Sequence, residues 1–130
     1  MTVVADTSVW ITFLRTGARG DAARLDALLS QQAVVVCGPV LAEILAGAGS
    51  QDRVRLQLLF AGLPWADIDR TAWGRVGDVA AELRERGETV PLTDIAIAVA
   101  TEGADAQLWS WDGDFDRVAG VMPSLRRFRP

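Results

Sequence analysis

The chain alternates short apolar runs with longer segments of helical periodicity, and this alternation restricts its fold more than any other feature of the sequence. Residues 2–5, 34–37 and 107–109 form brief apolar runs, whereas 69–86 is a long segment of helical pattern and 93–102 is a longer segment that is apolar nearly all round. Strands this apolar are typical of a parallel sheet covered by helices on both faces. The pattern predicts an α/β fold, a three-layer α/β/α sandwich with a short central parallel sheet, in a single domain over residues 1–130.

Shorter periodic segments complete the predicted order of elements. The spacing predicts helices over 8–14, 21–30, 39–46 and 50–60, and Pro64 limits residues 63–66 to a short strand. We expect the helix over 93–102 to be buried because it is apolar nearly all round. Beyond the acidic turn at 112–114 the pattern assigns no further element.

The residue types that are missing exclude most enzyme chemistry. The sequence has no His, Lys or Tyr, and all 13 cationic side chains are Arg. Nucleophile–His pairs, His-ligated zinc, Schiff bases and the Walker A lysine are therefore excluded. The one cysteine, Cys37, lies in an apolar run and is expected to be a buried strand residue.

The terminal sequence and the hydropathy predict a cytoplasmic protein with no membrane association. The first six residues lack a basic leader, and no apolar run approaches the ~18 residues of a membrane span.

Acidic side chains stand where the predicted strands end. Asp6 closes the first strand, Asp112 and Asp114 follow the last, Asp94 begins the buried helix, and Glu43 lies on the helix after the second strand. Ligands of open α/β sheets collect beyond the carboxyl ends of the strands, so we expect these carboxylates at one rim.

Each acid also has an ordinary structural interpretation. Asp6 and Asp94 are suited to capping helices, Glu43 to a solvent-exposed boundary position, and residues 112–114 to an Asp/Gly turn. Together, however, four or five converging acids without Lys or His would repel one another unless they shared a cation. Oxygen-only ligation favours Mg²⁺, with Mn²⁺ possible. An EF-hand is excluded because its sixth and twelfth positions are Arg117 and Pro123.

Four segments resemble, in order and spacing, the acidic motifs of PIN-domain nucleases. They are Val4–Ile11, Val40–Ile44, Thr93–Ala98 and Leu108–Phe115. The chain as a whole is similar to VapC-type toxins of bacterial type II toxin-antitoxin systems. The resemblance implies a Mg²⁺-dependent endoribonuclease acting on tRNA, rRNA or mRNA, neutralised by a VapB-type antitoxin and forming a homodimer.

The resemblance also assigns roles to individual residues. Asp6, Glu43, Asp94 and Asp112 align with the catalytic acids, and Asp6, Asp94, Asp112 and Asp114 would hold the metal. Ser8 and Ser110 align with supporting hydroxyls. Trp111 departs from the family pattern, in which a polar or basic residue is usual. Metal-assisted hydrolysis at such a site would leave a 5′-phosphate product.

The net charge of −4 is concentrated in the candidate site. Removing five site acids from the total of 17 leaves 12 acids against 13 arginines. Arg15, Arg19 and Arg117 are the candidate contacts for RNA phosphates. Two alternatives remain open: a PIN nuclease of RNA processing or DNA repair outside a toxin module, and a non-catalytic PIN interaction scaffold.

Overall fold

The computed structural model describes residues 1–130 and contains five strands and seven α-helices. Their order is β1 (Val3–Ala5), α1 (Thr7–Thr16), α2 (Arg24–Ser30), β2 (Val36–Cys37), α3 (Gly38–Gly47), α4 (Ser50–Ala61), β3 (Trp65–Ala66), α5 (Arg70–Glu85), α6 (Leu92–Gly103), β4 (Gln107–Trp109), α7 (Asp114–Val121) and β5 (Arg126–Arg127). None of the helices combines the length and apolarity needed to cross a bilayer.

All strand pairs are parallel. β1 pairs with β4 and β4 with β5, while β2 pairs with β3. A single bridge between Val3 and Val34 joins the two groups, with the Val3 N–H donating to the Ala33 carbonyl at 2.8 Å and the Val35 N–H to the Val3 carbonyl at 2.9 Å. The strands therefore run in the order β3-β2-β1-β4-β5, which confirms the α/β fold with a short parallel sheet flanked by helices.

Two of the short strands, β1 and β2, lead almost directly into a helix. All three residues of β1 are buried, and the Asp6 carboxylate at its end accepts the Val9 N–H at 3.3 Å as the N-cap of α1. In the same way β2 leads directly into α3, whose first turn contains Pro39. Acidic and hydroxyl side chains are thus brought to the carboxyl ends of the strands.

Helix α6 lies at the centre of the molecule. Its residues from Ile95 to Thr101 are all buried, as its continuous apolar pattern predicts. The hydroxyl of Thr101 is satisfied within the helix, where it donates to the Ile97 carbonyl at 2.7 Å. Because α6 packs against α3, α5, α7 and β4, its first turn, which carries Asp94, is held on a rigid element.

Two elements were missed by the sequence patterns. β5 carries the basic residues Arg126 and Arg127, whose charge does not indicate a strand, but Leu125 and Phe128 on either side of it are buried. Helix α7 is short and has only Phe115 and Val118 as fully buried apolar residues, which is too few for a clear period. Both elements depend on tertiary contacts, β5 with β4 and α7 with α5 and α6.

Candidate metal centre

Asp6 is held in one orientation by two hydroxyls. Its Oδ1 accepts from the Ser8 hydroxyl at 2.5 Å, and its Oδ2 accepts from the Ser110 hydroxyl at 2.6 Å. Asp6 is 4% exposed, so these bonds also compensate the burial of its charge. Ser8 and Ser110, predicted as supporting hydroxyls, both contact a predicted site acid.

Three carboxylates form a cluster above the end of β4. One oxygen each from Asp94, Asp112 and Asp114 lies within 4.8 Å of the others. The turn itself orders two of them, because Asp112 Oδ1 accepts the Asp114 N–H at 2.9 Å and the Asp112 N–H donates to Ser110 Oγ at 2.9 Å. Asp6 is not a member of this three-carboxylate set, although Ser110 links it to the same turn.

Glu43 reaches the site from α3 and is held by a contact that the sequence did not reveal. Its Oε1 accepts from the Thr7 hydroxyl at 2.8 Å. Thr7 stands between Asp6 and Ser8 at the first position of α1. A hydroxyl next to a predicted site acid is the only sequence signal that could have identified it.

The carboxylates interact electrostatically. Burial and, after it, the negative charges of Asp112, Glu43 and Asp6, in that order, together raise the pKa of Asp94 to about 6. The other three predicted catalytic acids are therefore close enough to Asp94 to affect it. Clustered carboxylates of this kind fit a hard divalent cation, which would relieve their repulsion.

The predicted RNA contacts occupy different environments. Arg117 forms an ion pair with Asp114, so its guanidinium lies beside the acidic cluster. Arg15 lines a groove with Glu43, and Arg19 is exposed in the turn after α1. Neither Arg15 nor Arg19 forms an ion pair.

Two tryptophans differ in their placement. Trp10 is fully buried, and its ring centroid lies 4.8 Å from that of Phe60, so it packs in the core. Trp111 is 47% exposed beside Asp112, and its ring meets the buried Trp109 edge-on at 6.0 Å. An exposed aromatic ring therefore lies next to the acidic turn.

Two apolar depressions flank the site. The first, of about 370 Å³, lies between α1, α3 and α4 and is lined by Ile11, Leu14 and Leu56 together with Arg15 and Glu43. The second, of about 400 Å³, lies around β3 and the start of α6. Its rim exposes three large apolar side chains, those of Trp65, Trp73 and Leu92.

Known proteins resemble this chain over most of its length. The PIN domain family model matches residues 3–121. Ribonuclease VapC11 of Mycobacterium tuberculosis is 31% identical over 124 residues, which are 92% of each chain.

Solved structures share the fold. VapBC2 from Rickettsia felis, bound to a DNA fragment from its promoter, superposes with a TM-score of 0.75 at 20% identity and covers 98% of each chain. The sarcin-ricin loop cleaving toxin VapC20 of M. tuberculosis superposes with a TM-score of 0.71 at 16% identity, over 99% of this chain and 100% of that one.

Proposed function

This chain belongs to the PIN-domain family, and on that premise we propose that it is a VapC-type toxin, a metal-dependent endoribonuclease that hydrolyses RNA phosphodiester bonds. The observation that carries the proposal is the set of three carboxylates within 4.8 Å, in a chain 31% identical to a VapC ribonuclease over 92% of its length. The alternatives outside a toxin module lack a comparable observation.

The proposed metal is Mg²⁺, with Mn²⁺ as a substitute. Asp94, Asp112 and Asp114 would hold it, and Asp6 would support the site through its hydrogen bond with Ser110. When bound, such a cation polarises a phosphodiester and lowers the pKa of an attacking water. The cation would also reduce the repulsion between these acids and an RNA phosphate.

The chain's own residues supply the remaining functions. Asp6 is fixed by Ser8 and Ser110, which keeps its negative charge in place as the reaction proceeds. Glu43 Oε1 is engaged by Thr7, which leaves Oε2 to accept the proton of the attacking water. In a chain without His or Lys, a carboxylate is the available side-chain base.

RNA binding would rely on Arg15 and Arg19, which lie free of acidic partners at the end of α1. The exposed indole of Trp111 offers a surface for stacking a base of a single-stranded segment. These groups would offset the negative charge of the site for an approaching strand.

Two surfaces fit the proposed protein partners. A VapB-type antitoxin segment lying in the groove between α1, α3 and α4 would contact Glu43 directly and thereby obstruct the site.

A second copy of the chain would cover Trp65, Trp73 and Leu92, since a patch of three large apolar residues is typical of an interface. Sedimentation should then give twice the 14.0 kDa chain mass, and Trp73→Arg should give the monomer. A monomeric wild type would contradict the dimer.

The activity is tested with purified protein and RNA. Wild type should cleave in Mg²⁺ or Mn²⁺ and stop in EDTA, and Asp94→Asn should lose at least about 100-fold in rate, the scale for one essential charge stabiliser. Asp78→Asn, an exposed carboxylate on α5, is the matched control and should keep wild-type activity. Cleavage in EDTA, or by Asp94→Asn at the wild-type rate, would contradict the proposal.

The toxin role is tested in cells. Expression of the chain alone should arrest growth, and a small neighbouring reading frame should relieve the arrest. Normal growth with an enzymatically active chain would favour an RNA-processing or DNA-repair nuclease instead.

A further inference from the structure

We infer that Thr7 is a positioning residue that holds Glu43 toward the acidic centre through its side-chain hydroxyl. The inference deepens the proposed function and rests on it for the role of Glu43. It starts from one contact, the 2.8 Å hydrogen bond from Thr7 Oγ1 to Glu43 Oε1, which joins residues 36 positions apart in the chain.

The hydroxyl of Thr7 is not needed by its own helix. Asp6 is the N-cap of α1, and it is the Asp6 carboxylate that accepts the Val9 N–H. The other two threonines of α1 behave differently: the Thr12 and Thr16 hydroxyls donate to backbone carbonyls four residues earlier. Thr7 alone among these threonines donates to a distant side chain.

Glu43 forms no other side-chain hydrogen bond and no ion pair. It is exposed, and none of the ion pairs of the molecule includes it. Arg15 lines the same groove without forming a salt bridge to it. Thr7 is the only residue whose side chain forms a hydrogen bond with Glu43.

Electrostatic repulsion acts on Glu43 in the opposite direction. Its charge is felt at Asp94, which also feels the charges of Asp112 and Asp6. A flexible glutamate side chain with three rotatable bonds would turn away from such a cluster into solvent. The Thr7 hydrogen bond opposes this movement, so Asp6-Thr7-Ser8 orders two site acids, Asp6 through Ser8 and Glu43 through Thr7.

The test compares Thr7→Val, which removes the hydroxyl at nearly constant shape, with Thr7→Ser, which keeps it. Thr7→Val should lower kcat about three- to tenfold with KM unchanged, the scale for one solvent-accessible hydrogen bond to a charged group. Thr7→Ser should restore at least half of the wild-type kcat. Thr12→Val, in the same helix, is the matched control and should behave as wild type.

Binding of Mn²⁺, measured by calorimetry, gives a readout independent of catalysis. Thr7→Val should weaken Mn²⁺ binding about two- to fivefold, because the Glu43 charge is no longer held near the cluster. In a Glu43→Ala background, the same Thr7→Val change should have no effect on either Mn²⁺ binding or kcat.

Three results would overturn the inference: wild-type kcat and Mn²⁺ affinity in Thr7→Val, no recovery in Thr7→Ser, or an undiminished Thr7→Val effect when Glu43 is alanine. A wild-type protein that binds Mn²⁺ but cleaves no RNA would instead reject the proposed function. Comparing the effect of Thr7→Val on Mn²⁺ binding in the wild-type and Glu43→Ala backgrounds would then still decide whether Thr7 holds Glu43.

Discussion

Replacing Asp94 by asparagine should stabilise the metal-free protein while it removes activity. Burial and the neighbouring carboxylates raise the pKa of Asp94 to about 6, so at pH 7.5 the folded protein keeps an ionised group that the unfolded chain accommodates more easily. A group with a raised carboxyl pKa costs stability above that pKa and ceases to do so as the pH falls below it. Asparagine has no charge to hold in this cluster.

The expected gain is worked out from that pKa. At about 1.36 kcal/mol per pKa unit, a rise to about 6 corresponds to roughly 3 kcal/mol in full. Asp94 is only half-buried and solvent screens part of the repulsion, which reduces the gain to about 1–2 kcal/mol. Loss of a negative charge in the first turn of α6 subtracts up to ~1 kcal/mol. We expect a net gain of about 1 kcal/mol, or roughly 4 °C in Tm.

The assay is thermal unfolding in EDTA at several pH values. The advantage of Asp94→Asn at pH 7.5 should shrink as the pH falls through about 6 and vanish near pH 4. Saturating Mn²⁺ should reverse the order, because only the wild type would gain stability from binding. Asp78→Asn should stay within about 0.5 kcal/mol of wild type throughout. An Asp94→Asn protein less stable than wild type in EDTA at pH 7.5, or a pH-independent difference, would refute the reasoning.

Other contacts lead to further expectations. Ser110→Ala removes a hydrogen bond to the buried carboxylate of Asp6, so denaturant unfolding should show a loss of about 1–2 kcal/mol, and an unchanged midpoint would contradict it. Partial burial raises the pKa of Glu102, but hydrogen bonds from Arg75 and Ser124 outweigh it and hold that pKa below its usual value. Glu102→Gln should therefore cost about 1 kcal/mol at pH 7, and this cost should disappear as the pH falls through that lowered pKa. Burial raises the pKa of the Cys37 thiol to about 11, so iodoacetamide should leave it unlabelled in the folded protein at pH 8 and label it in urea.

The sequence predicted the parts of the fold that local patterns determine. The buried runs of β1, β2 and β4 and the long periods of α5 and α6 are visible without any tertiary information. By contrast, β5 is basic and two residues long, and it forms only because Arg126 and Arg127 pair with β4 between the buried Leu125 and Phe128. Elements of this kind depend on contacts distant in sequence.

The residue types of the candidate site were predictable from the sequence, but the contacts between them were only partly predictable. Topology alone indicates that Asp6, Asp94 and Asp112 meet at the ends of the strands. No pattern predicts the Thr7–Glu43 hydrogen bond, because its partners lie on different helices. The engagement of Arg117 with Asp114 was likewise missed, since a cation after an acidic turn is equally suited to a phosphate or to a neighbouring carboxylate.

The chemical group at the 5′ ends of cleaved cellular RNA tests the central claim most directly, because hydrolysis at a carboxylate-held metal leaves a 5′-phosphate. RNA ends should be sequenced after induced expression of the wild type and of Asp94→Asn, with separate capture of 5′-phosphate and 5′-hydroxyl ends. The account predicts new 5′-phosphate ends at a small number of sites with the wild type and none with Asp94→Asn. New ends carrying 5′-hydroxyls, or the same ends with both proteins, would contradict it.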